Sequence, residues 1–346
     1  MSPEMSLLTV VVSLLVTGLI FWPRSGIFWK LYRGLRSTTR VLIEDALKHL
    51  YEQEYKGEKC TLASLSGKLE ITGDAAADLL ARLESMGLVT SKGEGFELTP
   101  EGRTYALKMV RIHRLWERYL ADKTGVAETE WHAQAEVLEH KMTEQEAEAL
   151  AAEVGHPRYD PHGDPIPTRT GTVPPRKGKP VTDLEVGDIA RIVHIEDEPA
   201  AVYAQLVAQG LHPGMQVQVV EKSTERILLA ADGEECVLAP VVAGNITVEP
   251  IPREQKIEGP FETLADLDVG EKGEVIGISR ACRGPQRRRL MDLGIIPGTI
   301  VTAEMRSAGG DPIAYNIRGA TIALRKEQAS LIHIKRLKEV SKDGHN

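Results

Sequence analysis

Residues 132–140 read His-Ala-Gln-Ala-Glu-Val-Leu-Glu-His, and the interpretation of the whole chain starts from this stretch. On a helix, His132, Glu136, Glu139 and His140 stand at positions i, i+4, i+7 and i+8, so their side chains share one face. Two imidazoles and two carboxylates suit a divalent cation such as Mn²⁺ or Fe²⁺, and Zn²⁺ less selectively. A solvated polar face has the same composition, so this helix alone does not decide between the two.

A second pair of candidate ligands lies upstream. His113 and Glu117, again four residues apart, occur in the stretch Arg-Ile-His-Arg-Leu-Trp-Glu. Each pair places an imidazole and a carboxylate on the same side of its helix. Two such faces on successive helices favour a metal site over two solvated surfaces.

Composition limits the possible functions. A chain of 346 residues is too long for a single ordinary core, and its net charge of −8 provides no global basic field for binding nucleic acid. Cys60, Cys236 and Cys282 are widely spaced and odd in number, which fits a reducing compartment and argues against a disulfide framework. No nucleophile with a nearby base stands out, so we expect no catalytic residues and no enzyme.

The N-terminal segment predicts a membrane anchor. Residues 5–22 carry no charged side chain and are rich in Leu, Val and Ile. At the rise of a helix this run covers about 27 Å, enough for a bilayer core. Aromatic and basic residues follow it, which orients the rest of the chain towards the cytoplasm. We therefore predict a single-pass anchor in residues 1–36 and localisation at the inner membrane, with a peripheral helix as the alternative. A cleaved signal peptide is disfavoured, because no basic residue precedes the apolar run.

Residues 37–102 have the pattern of a winged helix-turn-helix. Leucines at helical spacing mark three helices, Thr72 is a candidate N-cap of the third, and Gly87 is its stop. Two short apolar runs around residues 92–95 then predict a hairpin, the wing. This order of elements predicts a module whose third helix enters the major groove of DNA.

The predicted DNA-facing residues are small or acidic for the most part. They are Arg40, Thr72, Asp74, Ala75, Asp78, Arg82 and Lys92. Carboxylates repel phosphates, and alanine offers no hydrogen bond to a base edge. The pattern therefore favours the fold more strongly than it favours sequence-specific DNA binding.

Residues 103–158 predict a helical domain that binds metal and dimerises. Pro100 suits the first position of a helix that runs to about Lys123, Thr129 opens the next helix, and a capping box at residues 143–146 opens a third. The apolar face of so short a helical hairpin needs a partner to cover it, so we expect a homodimer.

Three motifs in this order resemble the diphtheria-toxin-repressor family of iron- and manganese-dependent regulators over residues 37–168. They are Ile-His-Arg-Leu-Trp-Glu-Arg-Tyr-Leu at 112–120, Ala-Glu-Val-Leu-Glu-His at 135–140 and Pro-His-Gly-Asp-Pro-Ile-Pro at 161–167. The resemblance implies two Fe²⁺ or Mn²⁺ sites per protomer. His113, Glu117 and His132 match one site; Glu136, Glu139 and His140 match the other, with Glu44 from the first helix as a further ligand.

The chain departs from the family at two positions where the family has metal ligands. Val41 stands where the first helix of the family supplies a Met or Asp ligand, and a valine cannot coordinate. Glu136 stands where iron-type members have Cys, which makes the site harder and closer to the manganese type. An acidic recognition helix and a membrane anchor are not the family norm either.

The C-terminal half contains a duplication. After a predicted linker at 159–180, Leu-Glu-Val-Gly at 184–187 recurs as Leu-Asp-Val-Gly at 267–270, an offset of 83 residues. Residues 181–250 and 261–337 each predict a small SH3-like β-barrel, and both resemble the FeoA-type domain associated with ferrous-iron transport. Cys282 is interpreted as a buried thiol, and the basic run 287–289 as a solvated helix face or a phosphate contact.

The predicted fold is therefore a multidomain α+β chain with a transmembrane helix, a winged helix-turn-helix, a helical dimerisation domain and two SH3-like barrels. The first functional hypothesis is a membrane-anchored, Fe²⁺- or Mn²⁺-dependent transcriptional regulator in which Glu44 couples the ion to the DNA-binding domain. The second is a metallosensor that binds no DNA and docks on a ferrous-iron transporter through its paired barrels.

Overall fold

The structure is a computed structural model, and it describes residues 39–93, 95–175, 177–231, 234–252, 262–279 and 281–337. The chain divides into two compact units, with the boundary after Val110.

The first unit contains three helices and a hairpin. They are α1 (Thr39–Lys56), α2 (Leu62–Leu69), α3 (Gly73–Ser85), β1 (Val89–Lys92) and β2 (Gly95–Leu98). Leu47, Leu50, Leu65 and Leu83 are fully buried and form its core. The order and the core agree with the predicted winged helix-turn-helix.

Polar caps fix where the two inner helices begin. The Thr61 hydroxyl accepts a hydrogen bond from the Ser64 backbone N–H, and the Ser64 hydroxyl accepts one from the Thr61 N–H, so α2 starts with a capping box. The Thr72 hydroxyl accepts from the Ala75 N–H and starts α3. Thr72 is therefore the N-cap that the sequence predicts.

The hairpin pairs β1 and β2 in antiparallel register, with Val89 opposite Leu98. The next helix, α4 (Pro100–Lys123), passes very close to it. A Cβ on Gly102 would lie 1.9 Å from the Leu88 carbonyl oxygen, so only glycine permits this approach.

The helical part of the second unit consists of the rest of α4, then α5 (Trp131–Glu139) and α6 (Glu144–Glu153). A 3₁₀ turn at Glu128–Glu130 precedes α5, so this helix starts two residues later than the Thr129 of the prediction. Trp131 packs on Leu120 and holds α5 against α4.

Residues 159–167 differ from the linker predicted for 159–180. The Asp160 side chain is buried, and one of its oxygens accepts backbone N–H bonds from residues 162, 163 and 164, each at 2.9 Å. The Arg114 guanidinium donates to the Pro165 carbonyl oxygen, and Ile166 packs in the apolar cluster around Leu115. This segment is a folded loop because it satisfies its own backbone donors.

Two six-stranded antiparallel sheets make up the rest of the unit. The first contains β3 (Lys179–Pro180), β4 (Ile189–Ile195), β5 (Gln216–Lys222), β6 (Ile227–Ala231), β7 (Glu234–Leu238) and β8 (Ile246–Ile251), in the order β3-β8-β4-β5-β6-β7. The second contains β9 (Glu262–Thr263), β10 (Lys272–Ile278), β11 (Ile300–Arg306), β12 (Ile313–Ile317), β13 (Ala320–Leu324) and β14 (Ile332–Leu337), in the order β13-β12-β11-β10-β14-β9.

Corresponding short helices accompany the two sheets. They are α7 (Ala200–Ala208) and α8 (Pro240–Ala243) in the first copy, and α9 (Gly284–Asp292) and α10 (Lys326–Ala329) in the second. Each sheet packs on its own apolar core. A bulge between Ile192 and His194 recurs between Val275 and Gly277, at the offset of the sequence repeat. The structure thus agrees with the predicted duplication of one small β-rich domain.

Among the described residues, none of the helices combines the length and the apolar character needed to cross a bilayer. The longest of them, α4, has charged side chains from Glu101 to Lys123. On this finding the predicted localisation at the inner membrane is wrong. The apolar run 5–22 on which that prediction rested lies outside the described residues.

Candidate metal centre

His113, Glu117 and His132 form a group of side chains that could hold a metal ion. His113 Nε2 lies 3.0 Å from Glu117 Oε1 and 3.2 Å from His132 Nδ1. His132 Nδ1 lies 3.2 Å from the same Glu117 oxygen. The three donor atoms therefore form a nearly equilateral triangle, and we call this group the triad.

Two helices hold the triad in place. His113 and Glu117 are one turn apart on α4, and His132 is in the first turn of α5. The other nitrogen of His113, Nδ1, lies 2.5 Å from Glu139 Oε2, which fixes the orientation of the ring. His113, Glu117 and Glu139 are all buried. Bulk water therefore has little access to this side of the triad.

The triad fits a divalent cation both in chemistry and in size. Two imidazoles and one carboxylate are the ligand set of many non-haem Fe²⁺ sites. An ion with bonds of about 2.1 Å at right angles holds neighbouring donor atoms about 3.0 Å apart. The observed separations of 3.0 and 3.2 Å match this spacing.

Glu136, Glu139 and His140, the remaining predicted ligands of the second unit, follow His132 along α5 and its C-cap. Glu136 Oε1 lies 3.4 Å from His132 Nε2, on the side of the ring that faces away from the triad. Glu139 bonds to His113 through Oε2, and its Oε1 is 3.6 Å from His140 Nε2. Glu136 thus contacts one histidine of the triad, and Glu139 contacts the other.

The predicted ligand Glu44 lies on α1 in the first unit. Its side chain is buried and accepts hydrogen bonds from Arg40 Nε at 2.7 Å and from the Tyr105 hydroxyl at 2.9 Å. Arg40, which the sequence predicts to face DNA, therefore donates a hydrogen bond from Nε to the Glu44 carboxylate.

Three further polar side chains, one histidine and two acids, lie around the triad, and the sequence did not assign them to it. His162 Nδ1 lies 3.7 Å from Glu117 Oε2 and 3.7 Å from Asp197 Oδ2. Asp197 Oδ2 is also 2.8 Å from His132 Nδ1, and Glu198 Oε1 is 3.4 Å from His132 Nε2. His162 comes from the folded loop, and the two acids come from the β4–α7 connection of the first β-rich domain.

Sequence signals for these three residues were weak. His162 lies in the Pro-His-Gly-Asp-Pro motif, but the surrounding residues were assigned to a linker. Gly163 in that motif approaches β4 so closely that a Cβ would lie 2.0 Å from the Val193 carbonyl oxygen. Asp197 and Glu198 belong to an ordinary acidic loop, and no periodicity connects them with a helix eighty residues upstream.

Neighbouring carboxylates raise the pKa of two histidines of the centre, His132 and His162. Burial lowers the pKa of His162, but the Asp197 and Glu117 carboxylates outweigh it and raise the pKa to about 10. Burial likewise lowers the pKa of His132, and hydrogen bonds to Asp197 and Glu117 reverse that effect and raise it. Burial opposes ionisation of Glu117, yet the charges on His113 and His162 keep its pKa well below the usual range. A bound cation would replace these protons.

The predicted DNA-facing side chains lie on the surface of the first unit. Asp74, Ala75, Asp78 and Arg82 are exposed along α3 beside the exposed cap Thr72. Lys92 in the hairpin lies 2.9 Å from Glu97 and retains a largely exposed side chain. The exposed face of α3 thus carries the acidic residues that the sequence indicates.

Comparison with known proteins gives family matches along most of the described chain. The profile described as iron dependent repressor, metal binding and dimerisation domain matches residues 99–168, and that of the FeoA domain matches residues 179–250 and 262–336. The diphtheria toxin repressor of Corynebacterium glutamicum is 29% identical over 225 residues, covering 62% of this chain and 95% of that repressor. The iron-dependent repressor IdeR of Mycobacterium bovis is 30% identical over 176 residues, covering 49% and 71%.

A solved structure gives the same result. A manganese-dependent transcriptional repressor in complex with manganese superimposes with a TM-score of 0.57 at 30% identity, covering 60% of this chain and 99% of that one. The predicted pair of FeoA-type domains is confirmed. The relatives are repressors rather than enzymes, which confirms the prediction that the chain has no enzymatic function.

Proposed function

Since the chain belongs to the diphtheria-toxin-repressor family, we propose that it is a transcriptional repressor that binds DNA as a homodimer when it holds Fe²⁺ or Mn²⁺. In this proposal the triad His113, Glu117 and His132 holds one ion, and Glu139 and His140 contribute to another. Glu136 is a ligand or an outer-shell partner of His132.

The triangle of donor atoms in the triad is the observation that carries the proposal. In a solvated polar face, side chains of like type turn outwards to water rather than converge. Here two imidazole nitrogens and a carboxylate oxygen meet at 3.0 to 3.2 Å, with His113 and Glu117 buried. Desolvating three such groups is costly unless an ion or protons compensate their charge.

The winged helix-turn-helix supports the DNA-binding part of the proposal. Its third helix, α3, presents an exposed face, and the hairpin presents Lys92. Exposed carboxylates on α3 reduce attraction to phosphate, so we expect binding that is weak and strongly dependent on salt unless Arg82 and Lys92 supply most of the contacts.

A binding titration of the full chain tests this function. Random DNA duplexes would be selected on the protein with Mn²⁺ or Fe²⁺, and the selected sequence would be titrated with metal and with a chelator. We expect binding with metal only, and loss of metal-dependent binding in His113→Ala. His156→Ala, an exposed histidine near Glu148 on α6, is the matched control and should bind as the wild type does.

A second candidate function rests on the acidity of α3. Asp74 and Asp78 are both exposed on the helix that would enter the groove. A metallosensor that binds no DNA and docks on a ferrous-iron transporter through its FeoA domains would not need a basic helix there. Metal binding without any selected DNA sequence would favour this alternative over the repressor.

A further inference from the structure

A cavity of about 820 Å³ lies within the second unit, and we call it the interdomain cavity. Its wall is formed by α4, the folded loop, the first FeoA domain and the start of α9 in the second FeoA domain. Of the described residues that line it, none belongs to the triad. Sites for small molecules have volumes of about 300–1,000 Å³ and often lie between domains. The interdomain cavity therefore has the size and the position of a binding site.

The basic run 287–289 on α9 divides into three different environments. Arg287 Nη1 donates to the carbonyl oxygens of Ile278 at 3.2 Å and Ser279 at 3.1 Å, so this arginine holds the start of the helix in place. Arg288 is exposed and lines the interdomain cavity. Arg289 is exposed too, but lies outside the described wall of that cavity. A phosphate contact in this cavity is therefore open to Arg288 and not to Arg289.

Arg283, the N-cap of α9, also lines the cavity and is partly buried. Among the described residues, its guanidinium has no hydrogen-bond or ion-pair partner. Burial and the positive charge of Arg118 lower the pKa of Arg283. Arg118 Nε itself lies 2.6 Å from Asp122 Oδ2, so only the Arg118 charge is directly balanced. A guanidinium taken from water without an acceptor is costly, and a bound anion would supply that acceptor.

Acidic side chains in the wall do not balance Arg283, because most of them have partners elsewhere. The acids that line the cavity are Asp122, Asp160, Asp164, Glu249 and Asp292. Asp160 accepts the three backbone N–H bonds of the folded loop, and Asp164 Oδ1 lies 3.4 Å from Arg114 Nη2. Glu249 is the cross-strand neighbour of Arg191, and Asp292 is exposed. Positive charge thus remains at the α9 side of the cavity.

Another part of the wall is apolar. It contains Pro161, Pro165, Ile192, Val193, Pro213 and Met291. A lone phosphate ion would leave most of this surface without a contact, whereas a larger organic molecule would cover it. Guanidinium groups bind phosphate oxygens in pairs of parallel hydrogen bonds, which suits the free arginines at the other side.

We propose that the interdomain cavity binds a small molecule of nucleotide size that carries a phosphate group, with Arg283 and Arg288 as the phosphate contacts. Such a ligand would contact α4, the folded loop and both FeoA domains at once. A Cβ on Gly284 would lie 2.7 Å from the Thr124 carbonyl oxygen, so α9 already packs closely against the end of α4. Ligand binding would stabilise this arrangement and would give the chain a second signal, independent of the metal.

Calorimetric titration of the full chain tests the proposal. ADP, ribose 5-phosphate and inorganic phosphate are the probes, and a chelator keeps the protein free of metal. We expect at least one of the two organic phosphates to bind with a Kd below about 1 mM, and to bind more weakly as salt rises. Adenosine, which lacks the phosphate, should not bind.

Arg283→Gln should weaken the binding of that probe by at least about tenfold, because charge-assisted hydrogen bonds are lost. Arg288→Gln should weaken it by about threefold or more. Arg289→Gln, on the same helix but outside the described wall, is the matched control and should bind within about twofold of the wild type. The unliganded Arg283→Gln protein should melt no lower than the wild type, because repulsion from Arg118 is removed. A merely structural arginine would lower the Tm when replaced.

Met291→Glu decides the question if Arg283→Gln does not fold, because Met291 is 49% exposed and tolerates a polar side chain. Its carboxylate would repel a phosphate in the cavity and should weaken binding by at least about tenfold.

Two results would overturn the inference. The first is that neither organic phosphate binds with a Kd below about 1 mM. The second is that an organic phosphate binds but Met291→Glu and each folded arginine variant keep its affinity within about twofold of the wild type. Since all titrations are made with a chelator, either result leaves the proposed metal-dependent function standing.

Discussion

Replacing Glu117 with glutamine removes one negative charge from the centre of the cluster and leaves the size of the side chain nearly unchanged. The carboxylate is 2% exposed, so water cannot take its place. Its Oε1 lies within 3.2 Å of both imidazole nitrogens of the triad. Glu117→Gln should therefore weaken Mn²⁺ and Fe²⁺ binding through the loss of a ligand charge.

The expected loss of affinity is at least about a hundredfold, or about 2.8 kcal/mol. Loss of a hydrogen-bonding partner outside the ligand sphere costs ten- to a hundredfold, and a direct ligand belongs at or above the upper end of this range. Metal at one hundred times the wild-type Kd stabilises the wild type by about 2.7 kcal/mol, but a variant with a hundredfold higher Kd by only about 0.4 kcal/mol. For a folded unit of this size the difference corresponds to a Tm shift of roughly 5–9 °C.

Calorimetric titration and thermal unfolding with and without Mn²⁺ measure both quantities. Glu148→Gln is the matched control, because Glu148 lies on α6, interacts with Arg111 and His156, and is about half exposed. It should change metal affinity by less than about twofold. A Glu117→Gln variant that binds Mn²⁺ within a factor of three of the wild type, with the same Tm increase, would refute the assignment of the triad.

Three further outcomes are expected. Asp160→Ala leaves three backbone N–H groups, one of them buried and two partly buried, without their acceptor. It should lower the free energy of unfolding by about 3 kcal/mol in urea titrations, and a loss below 1 kcal/mol would contradict the role of the loop anchor. Burial raises the pKa of Tyr315 to about 12, so the contribution of this phenol to stability is present below pH 10 and is lost as the pH rises through 12. At pH 11 the free energy of unfolding of the wild type should fall by about 1.3 kcal/mol more than that of Tyr315→Phe. Equal losses in the two proteins would show that the phenol has the same pKa in the folded and unfolded states. Asp74→Asn combined with Asp78→Asn should tighten DNA binding by roughly tenfold at low salt, as measured by fluorescence anisotropy, because two charges facing phosphate are removed. If the double change abolishes a tight, sequence-specific complex instead, those carboxylates read bases.

The sequence by itself determined the elements that depend on neighbouring residues. Leucine spacing and the predicted cap at Thr72 define helices of the winged module. The four-residue spacing of His113 and Glu117 places both donors on one side of α4. The recurring Leu-x-Val-Gly motif indicates two copies of one domain, which have the same sheet order and bulge. These features follow from periods of a few residues, or from direct repetition, and need no knowledge of the tertiary fold.

Only the tertiary structure decided which donors share a centre. Glu136 and Glu139 belong to one helical face in the sequence, yet Glu136 faces His132 while Glu139 turns to His113. His162 and Asp197 meet at Glu117, although the folded loop carries the first and the β4–α7 connection of the first FeoA domain carries the second. Their convergence depends on how the folded loop packs against the first FeoA domain. Helical periodicity contains no information about packing between domains, so it paired His113 with Glu117 but did not place His132, His162 or Asp197 beside them. The grouping of His132 with that pair was implied only by the resemblance to the repressor family.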